Sequence, residues 1–463
     1  MRRHRLEANA SVRERLWNRR AILRVGGIGL LGLSYADLHA WASTPAARQK
    51  ATARGVIFLH QWGGPGHHET FDPKPDAPDQ VRGWFGVTAT RLAGIRFGER
   101  LPKLAALADR LTVIRCMHHQ MKNHNSAGYY SLTGVPPPSD DIRLRDSLDL
   151  CPAYGSLVSY LRPAPTGTAS FVALPHVIAD GSITPGQHAS FLGKTHNPLL
   201  ITRDPNQPDF RLPELSLPTD LTVERLEHRR SLQEIIDAQS RLMEQSLLAR
   251  GIEENFQKAV TLLLSPSFRK AFDLSREPRS LRERYGRTTY GQACLLARRC
   301  IEAGARFVNV YFSRSIGGPG GGWDYHGFNG ESAVQRLDAL LPITDQTLSA
   351  LIEDLENRGL LDEVLVVWVG EFGRTPRINS NGGRDHWPQC YCAVLAGGGI
   401  RRGYVHGASD KIGAYPTLGL VRPEDLAATI FTALGIDPET EIRDRLNRPL
   451  PVARGQPVRQ LFD

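Results

Sequence analysis

The sequence predicts an α/β fold with a mainly parallel central sheet, and two observations support this prediction. Short apolar runs rich in β-branched residues recur along the chain and stop at glycine or at polar side chains, as buried parallel strands do. A long amphipathic segment, residues 333–358, separates two of these runs, so that strand, helix and strand form a βαβ crossover. Ligands of such sheets bind at the carboxyl ends of the strands, which is where we expect a functional site.

The elements follow one another in a simple order after residue 50. Five strands are predicted, at residues 56–60, 111–115, 307–312, 364–369 and 391–396. Leucines at three- and four-residue spacing predict the long helix, and Gly359 stands where a helix of this kind ends. Residues 220–305 are dominated by Glu, Arg, Leu and Ala and predict a helical insertion, either a lid or a packing layer. We place this insertion within one domain spanning residues 52–450.

The first 42 residues have the pattern of an export signal. Arg19 and Arg20 precede an uncharged apolar run at residues 25–33, which is too short to span a bilayer. Residues 40–42 (Ala-Trp-Ala) supply the small side chains that a signal peptidase accepts. We therefore expect a twin-arginine signal peptide at residues 1–42, the twin-arginine translocase as partner during export, and a periplasmic or otherwise extracytoplasmic location. Membrane contact is expected only through this segment, whether it is cleaved or kept as a tether.

The positive charge of the chain does not indicate a nucleic-acid partner. The formal net charge is +9, of which residues 1–42 contribute +5, and this leaves +4 for the remainder. That excess is spread without a long Lys/Arg run, as on an ordinary solvated surface. No nucleic-acid motif or base-stacking aromatic platform is visible in the sequence. We expect no DNA or RNA to bind.

Side chains of the kind that bind metals follow four of the predicted strands. They include His60 and Gln61 after the first, Asn123 and His124 after the second, Asp324 and His326 after the third, and Glu371, Asp385 and His386 after the fourth. Carboxylates and neutral imidazoles bind divalent cations, which polarise phosphoryl or sulfuryl oxygens or activate water. Their convergence at one sheet edge predicts a divalent metal site, with zinc, calcium or manganese as candidates. Each histidine taken alone is better explained as a capping or hydrogen-bonding residue.

Several motifs resemble those of known families. The helix and strand at residues 344–373, which end at Glu371, resemble the unit that carries a metal-binding carboxylate in the alkaline phosphatase/sulfatase superfamily. More closely, residues 55–440 are similar to an exported bacterial family, domain of unknown function 1501, grouped with that superfamily. The landmarks of this similarity are Trp62-Gly63-Gly64-Pro65, Thr70-Phe71-Asp72-Pro73, Trp323-Asp324, Gly370-Glu371-Phe372-Gly373-Arg374 and Arg384-Asp385-His386-Trp387. The resemblance implies an alkaline-phosphatase-like three-layer sandwich.

The resemblance also implies roles for the site residues. The superfamily nucleophile, a Cys or Ser, maps onto His124, which is flanked by Asn123. The leading hypothesis is an exported metal-dependent hydrolase of phosphate or sulfate esters, in which His124 or a metal-bound water attacks an anionic substrate and Arg374 or Arg384 stabilises negative charge. Its metal ligands would be Asp324, His326, Glu371, Asp385 and His386. The alternative is a non-catalytic binding or scaffold protein on a degenerate fold of the same kind.

Overall fold

Residues 51–210, 265–312, 322–327 and 332–462 are described by the computed structural model. The predicted signal peptide at residues 1–42 lies outside the described residues, as do residues 220–264 of the predicted insertion. Within the described ranges, no helix combines the length and the apolar character needed to cross a membrane.

An eight-stranded sheet forms the centre of the fold. Its strands, numbered in chain order, are β1 (Gly55–Gln61), β2 (Thr112–Met117), β3 (Phe171–Leu174), β4 (Leu199–Leu200), β5 (Phe307–Phe312), β6 (Val364–Val369), β7 (Tyr391–Ala396) and β8 (Tyr404–His406). They lie in the order β8-β2-β7-β6-β1-β5-β3-β4. All neighbouring pairs in this order are parallel except the two that β7 forms, with β6 and with β2. The prediction of a mainly parallel sheet is confirmed, and the reversal of β7 is a feature that the sequence did not reveal.

Helices cover both faces of the sheet, which gives the three predicted layers. The longer helices are α1 (His124–Thr133), α2 (Tyr154–Leu161), α3 (Thr289–Glu302), α4 (Ala333–Asn357) and α5 (Pro423–Ala433). Alternate residues of β1 point to opposite faces, as in any strand. Ile57 and Leu59 join the apolar cluster formed with α3 and α4, whereas Val56 and Phe58 join the cluster formed with α2 and α5.

Helix α4 begins and ends close to the predicted residues. The Ser332 hydroxyl caps its first turn by accepting a hydrogen bond from the Gln335 amide at 3.4 Å. Gly359 follows its last turn with φ of +68°, a conformation that glycine adopts without strain. Within the helix, the buried Asp345 carboxylate accepts hydrogen bonds from the first amides of the short helix Pro102–Ala106, at 2.8 and 3.1 Å. These hydrogen bonds join helix α4 to the short helix Pro102–Ala106.

Residues 265–305, the described part of the predicted insertion, belong to a packing layer. Two short helices, Pro266–Ala271 and Arg279–Arg284, precede α3. The side chains of Cys294, Leu295 and Cys300 in α3 are fully buried against the sheet. This part of the chain therefore forms core structure and does not act as a lid.

The remaining elements are short and lie in the connections. They are the helix Asp79–Arg82, the 3-10 turns Ala108–Arg110, Ser190–Leu192, Lys194–His196, Leu274–Arg276, Leu361–Glu363 and Arg459–Leu461, and the strand pairs Val87–Ala89 with Arg96–Gly98, Ala179–Asp180 with Ser182–Ile183, Gly373–Arg374 with His386–Trp387, Ala408–Ser409 with Pro416–Leu418, and Glu441–Arg443 with Pro449–Pro451.

Candidate functional site

A cavity of about 130 Å³ lies at the edge of the sheet where the parallel strands end. Its lining residues are Trp62, Asn123, His124, Ile142, Ala179, Asp180, Asp324 and His386. The topology explains why distant segments meet here. Segments that follow β1, β2, β5 and β6 arrive at this edge because these strands share one direction. His386 comes from the segment before β7, and it reaches the same edge because β7 runs the opposite way.

Three histidines direct the same ring nitrogen at one carboxylate oxygen. Oδ1 of Asp324 lies 2.9 Å from Nε2 of His326, 3.1 Å from Nε2 of His386 and 3.6 Å from Nε2 of His124. Ligand atoms of Asp324, His124 and His386 all lie within 4.8 Å of one another, a grouping that could hold a metal ion. His326 joins this group because its Nε2 lies 3.0 Å from Nε2 of His386.

The other ring nitrogen of each histidine faces an oxygen acceptor. Nδ1 of His124 lies 2.8 Å from Glu371 Oε1, Nδ1 of His326 lies 2.8 Å from Asp385 Oδ1, and Nδ1 of His386 lies 2.7 Å from the backbone oxygen of Lys122. Carboxylate and carbonyl oxygens only accept hydrogen bonds, so each Nδ1 carries the proton. In a neutral ring Nε2 then presents a lone pair. Lone pairs of His326 and His386 that face each other across 3.0 Å, beside a carboxylate, require a proton or a cation between them.

Glu371 is held rigidly behind His124. Its side chain is fully buried, and Oε1 also accepts a hydrogen bond from the Gly63 amide at 2.7 Å. Its backbone oxygen lies 2.6 Å from Nε2 of His119. Its second carboxylate oxygen, Oε2, has no hydrogen-bond partner among the described residues, and Nε2 of the fully buried His60 lies 3.7 Å away. Glu371 thus orients the His124 ring and does not reach the cavity.

Burial and neighbouring charges set the protonation of the cluster. Burial alone would lower the pKa of His124, but the Asp324 and Glu371 carboxylates beside it raise that pKa to about 9. Burial opposes ionisation of Asp324, yet Arg374 and the three histidines hold its pKa far below the usual range. The pKa of Glu371 is also lowered, because His124 outweighs burial. Burial lowers the pKa of His386 to about 4, so this ring is neutral at pH 7.

Arg374 holds Asp324 in place from inside the fold. Its fully buried guanidinium donates to Oδ1 of Asp324 at 2.6 Å and to the backbone oxygens of Gly63, Gly64 and Arg384. Gly63 has φ of +100°, and a Cβ on it would lie 2.6 Å from the Asp324 amide nitrogen, so only glycine fits this close approach. These contacts hold Arg374 against Asp324. Arg374 is not among the residues that line the cavity.

Arg384 and Asn123 also have internal partners. Arg384 is fully buried, donates to Oε1 of Glu69 at 2.7 and 2.9 Å, and further donates to backbone oxygens, among them that of Val81. Asn123 lines the cavity at the start of α1, and its backbone and side-chain nitrogens donate to Asp140 at 3.0 and 3.2 Å. Arg374 and Arg384 were both expected near substrate, but in the structure both guanidinium groups donate to acceptors within the protein.

Two residues that shape the cavity escaped the sequence analysis. Asp180 lines the cavity from a stretch rich in proline and glycine, where no periodic pattern distinguishes it. The backbone oxygen of Lys122 fixes the His386 ring, a role that no side-chain pattern reveals. Trp62, within a landmark motif, lies with its ring centroid 5.0 Å from that of His124 and forms one wall.

The fold is similar to several solved structures, each at low sequence identity. A PsFucS1 sulfatase from Pseudoalteromonas sp. aligns with a TM-score of 0.40 and 14% identity, covering 90% of this chain and 77% of that one. The phosphonate monoester hydrolase SpPMH from Silicibacter pomeroyi aligns with a TM-score of 0.36 and 12% identity, covering 89% and 76%. The lipoteichoic acid synthase LtaP from Listeria monocytogenes aligns with a TM-score of 0.36 and 10% identity, covering 85% and 75%.

Comparison with protein families gives a more definite result. No curated protein matches the sequence. Residues 53–462 match the family described as "Protein of unknown function (DUF1501)", which confirms the predicted family. The chain belongs to the DUF1501 family.

Proposed function

We propose that this protein is an exported, metal-dependent hydrolase of phosphate or sulfate esters. The observation that carries the proposal is the convergence of three Nε2 atoms on Asp324 Oδ1, with every Nδ1 already engaged by an oxygen acceptor. Histidines that bind metals have this arrangement, since the second nitrogen donates to a carboxylate or carbonyl that fixes the tautomer and the orientation of the ring. The cluster also lies beside a cavity at the expected sheet edge.

The donor set favours some cations over others. Three imidazoles and one carboxylate suit zinc and similar borderline ions. Calcium binds six to eight oxygen ligands, so it is the least suited of the three candidate metals. We therefore assign the ligand set to His124, His326, His386 and Asp324. Glu371 and Asp385, which the sequence analysis placed among the ligands, would orient the rings of His124 and His326.

The residues of the chain would divide the chemistry between them. A bound cation would supply Lewis acidity towards a phosphoryl or sulfuryl oxygen. Arg374 and Glu371 would hold Asp324 and His124 in place, while Trp62 and Ile142 would exclude water from the sides of the cavity. In the net reaction, the oxygen of water bonds to phosphorus or sulfur, the bond to the ester oxygen breaks, and the departing oxygen takes up a proton. We assign His124 to metal binding and not to attack on the substrate, because its Nε2 lies among the other ligand atoms.

Export by the twin-arginine pathway is the second part of the proposal. It rests on Arg19 and Arg20 before the apolar run at residues 25–33. This pathway carries folded proteins, and export after folding suits a site whose ligands come from distant parts of the chain.

One observation favours the non-catalytic alternative. Arg374 and Arg384, the arginines expected to stabilise negative charge, both donate to internal acceptors. A scaffold protein that retained the fold and lost the chemistry would have this property.

Metal analysis and a substrate panel separate the two functions. The mature protein is purified without chelators, its metal content is measured, and aryl phosphates and sulfates are tested before and after zinc addition. We expect close to one ion per chain, turnover of at least one ester, and loss of both in Asp324→Asn. The exposed Asp76→Asn serves as the matched control and should behave as the wild type. A metal-free protein that binds no added zinc, with or without the Asp324 substitution, would favour the scaffold.

A further inference from the structure

The cavity lining includes two partly exposed segments, at Ile142 and at Ala179–Asp180, which form its mouth, and one buried amide ties both of them to helix α1. Asn125 directly follows His124 and is fully buried. Its Nδ2 donates to the backbone oxygens of Ile142, at 2.6 Å, and Asp180, at 3.1 Å. Its Oδ1 accepts a hydrogen bond from the Thr184 hydroxyl at 2.7 Å. The mouth therefore has a fixed position relative to the His124 ring.

The described lining of this cavity carries carboxylates and no lysine or arginine. Asp180 and Asp324 both contribute to it. Asp324 is surrounded by Arg374 and three histidines, which balance its charge. The Asp180 side chain, in contrast, forms no hydrogen bond or ion pair with a described residue, and its backbone oxygen alone is used by Asn125. One negative charge at the mouth is therefore left without a partner in the described structure.

We propose that Asp180 selects esters whose transferred group carries a single negative charge over esters whose group carries two. The favoured class comprises sulfate monoesters and phosphate diesters, and the disfavoured class is phosphate monoesters, which approach a charge of −2 above their second pKa near 6. This inference rests on the proposed hydrolase function and narrows it.

The physical reason is the Coulomb repulsion between like charges in a partly buried site. A second negative charge on the substrate adds one further repulsive interaction with Asp180, and the effective dielectric constant near a protein surface screens it only in part. An arginine fork at the cavity wall would offset this repulsion, but Arg374 and Arg384 are both engaged internally. Because Asn125 fixes the backbone at Asp180, the segment is not free to swing away from an incoming dianion.

The test compares Asp180→Asn with wild type on three substrates that share one leaving group. These are 4-nitrophenyl sulfate, bis(4-nitrophenyl) phosphate and 4-nitrophenyl phosphate, each assayed with the zinc-loaded mature protein at pH 8. Removing the charge should raise kcat/KM for 4-nitrophenyl phosphate about tenfold, while the two monoanions change less than about threefold. Comparing variant with wild type on each substrate cancels the intrinsic reactivity of the esters. Asp76→Asn, an exposed substitution of the same kind, should leave all three values unchanged.

The outcomes separate this inference from the proposed function. Equal changes for the three esters, or no change for any, would overturn the charge selection and leave the hydrolase function intact. If none of the esters is hydrolysed, the proposed function fails, and calorimetric binding of phenyl phosphate and phenyl sulfate to the same two proteins decides the inference. The inference is supported if Asp180→Asn raises the affinity for phenyl phosphate and leaves the affinity for phenyl sulfate unchanged. Equal affinities in the wild type and in Asp180→Asn would refute it.

Discussion

Metal binding at this site should release a proton at neutral pH, because the Asp324 and Glu371 carboxylates keep the His124 ring protonated. The Glu371 and Asp324 carboxylates raise the pKa of His124 to about 9, whereas His386, with a pKa of about 4, is already neutral at pH 7. A cation must therefore displace the His124 proton before Nε2 can bind it. The apparent zinc affinity should rise about tenfold per pH unit below pH 9, or about a hundredfold between pH 7 and pH 9.

Glu371→Gln tests the origin of this dependence. Glutamine can still accept the Gly63 hydrogen bond, so the local fold is retained, but its neutral amide no longer stabilises the His124 imidazolium. The pKa of His124 should fall, although Asp324 still raises it, so the steep rise of zinc affinity should end at a lower pH than in the wild type. Competition against a chelator of known pH dependence measures the affinity, with Asp76→Asn as the exposed control. An affinity that rises up to the same pH in wild type and Glu371→Gln would refute the reasoning.

Three further predictions concern stability and export. In the metal-free protein, the raised pKa of His124 stabilises the fold fully below pH 6.5, the ordinary value, and this contribution is lost as pH rises through about 9. Urea unfolding should record a loss of about 3 kcal/mol across that range, and Glu371→Gln should reduce this loss, with Asp324 accounting for the remainder. Arg384→Met leaves Glu69 buried without its partner and should cost about 3–5 kcal/mol by the same assay, whereas Arg279→Met, at an exposed ion pair, should change stability by less than about 1 kcal/mol. Equal losses of stability in Arg384→Met and Arg279→Met would contradict the argument that the buried ion pair contributes more. Replacing Arg19 and Arg20 together by lysine should retain the protein in the cytoplasm by cell fractionation, and unimpaired export would exclude the twin-arginine pathway.

Periodicity and glycine stops predicted the strands and the long helix well. Residues 307–312 and 364–369 were predicted as strands with the bounds that β5 and β6 have. These runs are apolar except for the buried Asn309, because both faces of the sheet are covered, and Gly359 marks the end of α4 through its left-handed backbone. The direction of β7 was not predictable, since apolar runs look alike in parallel and antiparallel strands.

The proximity of these residues was easier to predict than the role of each one. Asp324, His326 and His386 were predicted as ligands because their types and their places after strands suggested it. Glu371 binds His124 through Oε1 and lies behind the cluster, a distinction of a few ångströms that sequence spacing does not encode.

The two arginines show a second limit of sequence analysis. Arg374 and Arg384 have the side-chain chemistry that binds anions, but the fold surrounds both with backbone carbonyls. Asp180 gave no signal at all, because it lies in a two-residue strand without a periodic pattern, and a hydrogen bond from Asn125 to its backbone links it to α1.

X-ray absorption at the zinc edge of the loaded mature protein tests the central claim most directly. The structure predicts a first shell dominated by imidazole, with three nitrogens and one carboxylate oxygen at about 2.0–2.1 Å, and with the outer-shell scattering that histidine rings produce. His386→Gln should remove about a third of that imidazole signal. A shell of oxygen atoms without imidazole scattering, or a spectrum unchanged by His386→Gln, would contradict the assignment of His124, His326, His386 and Asp324 to the metal.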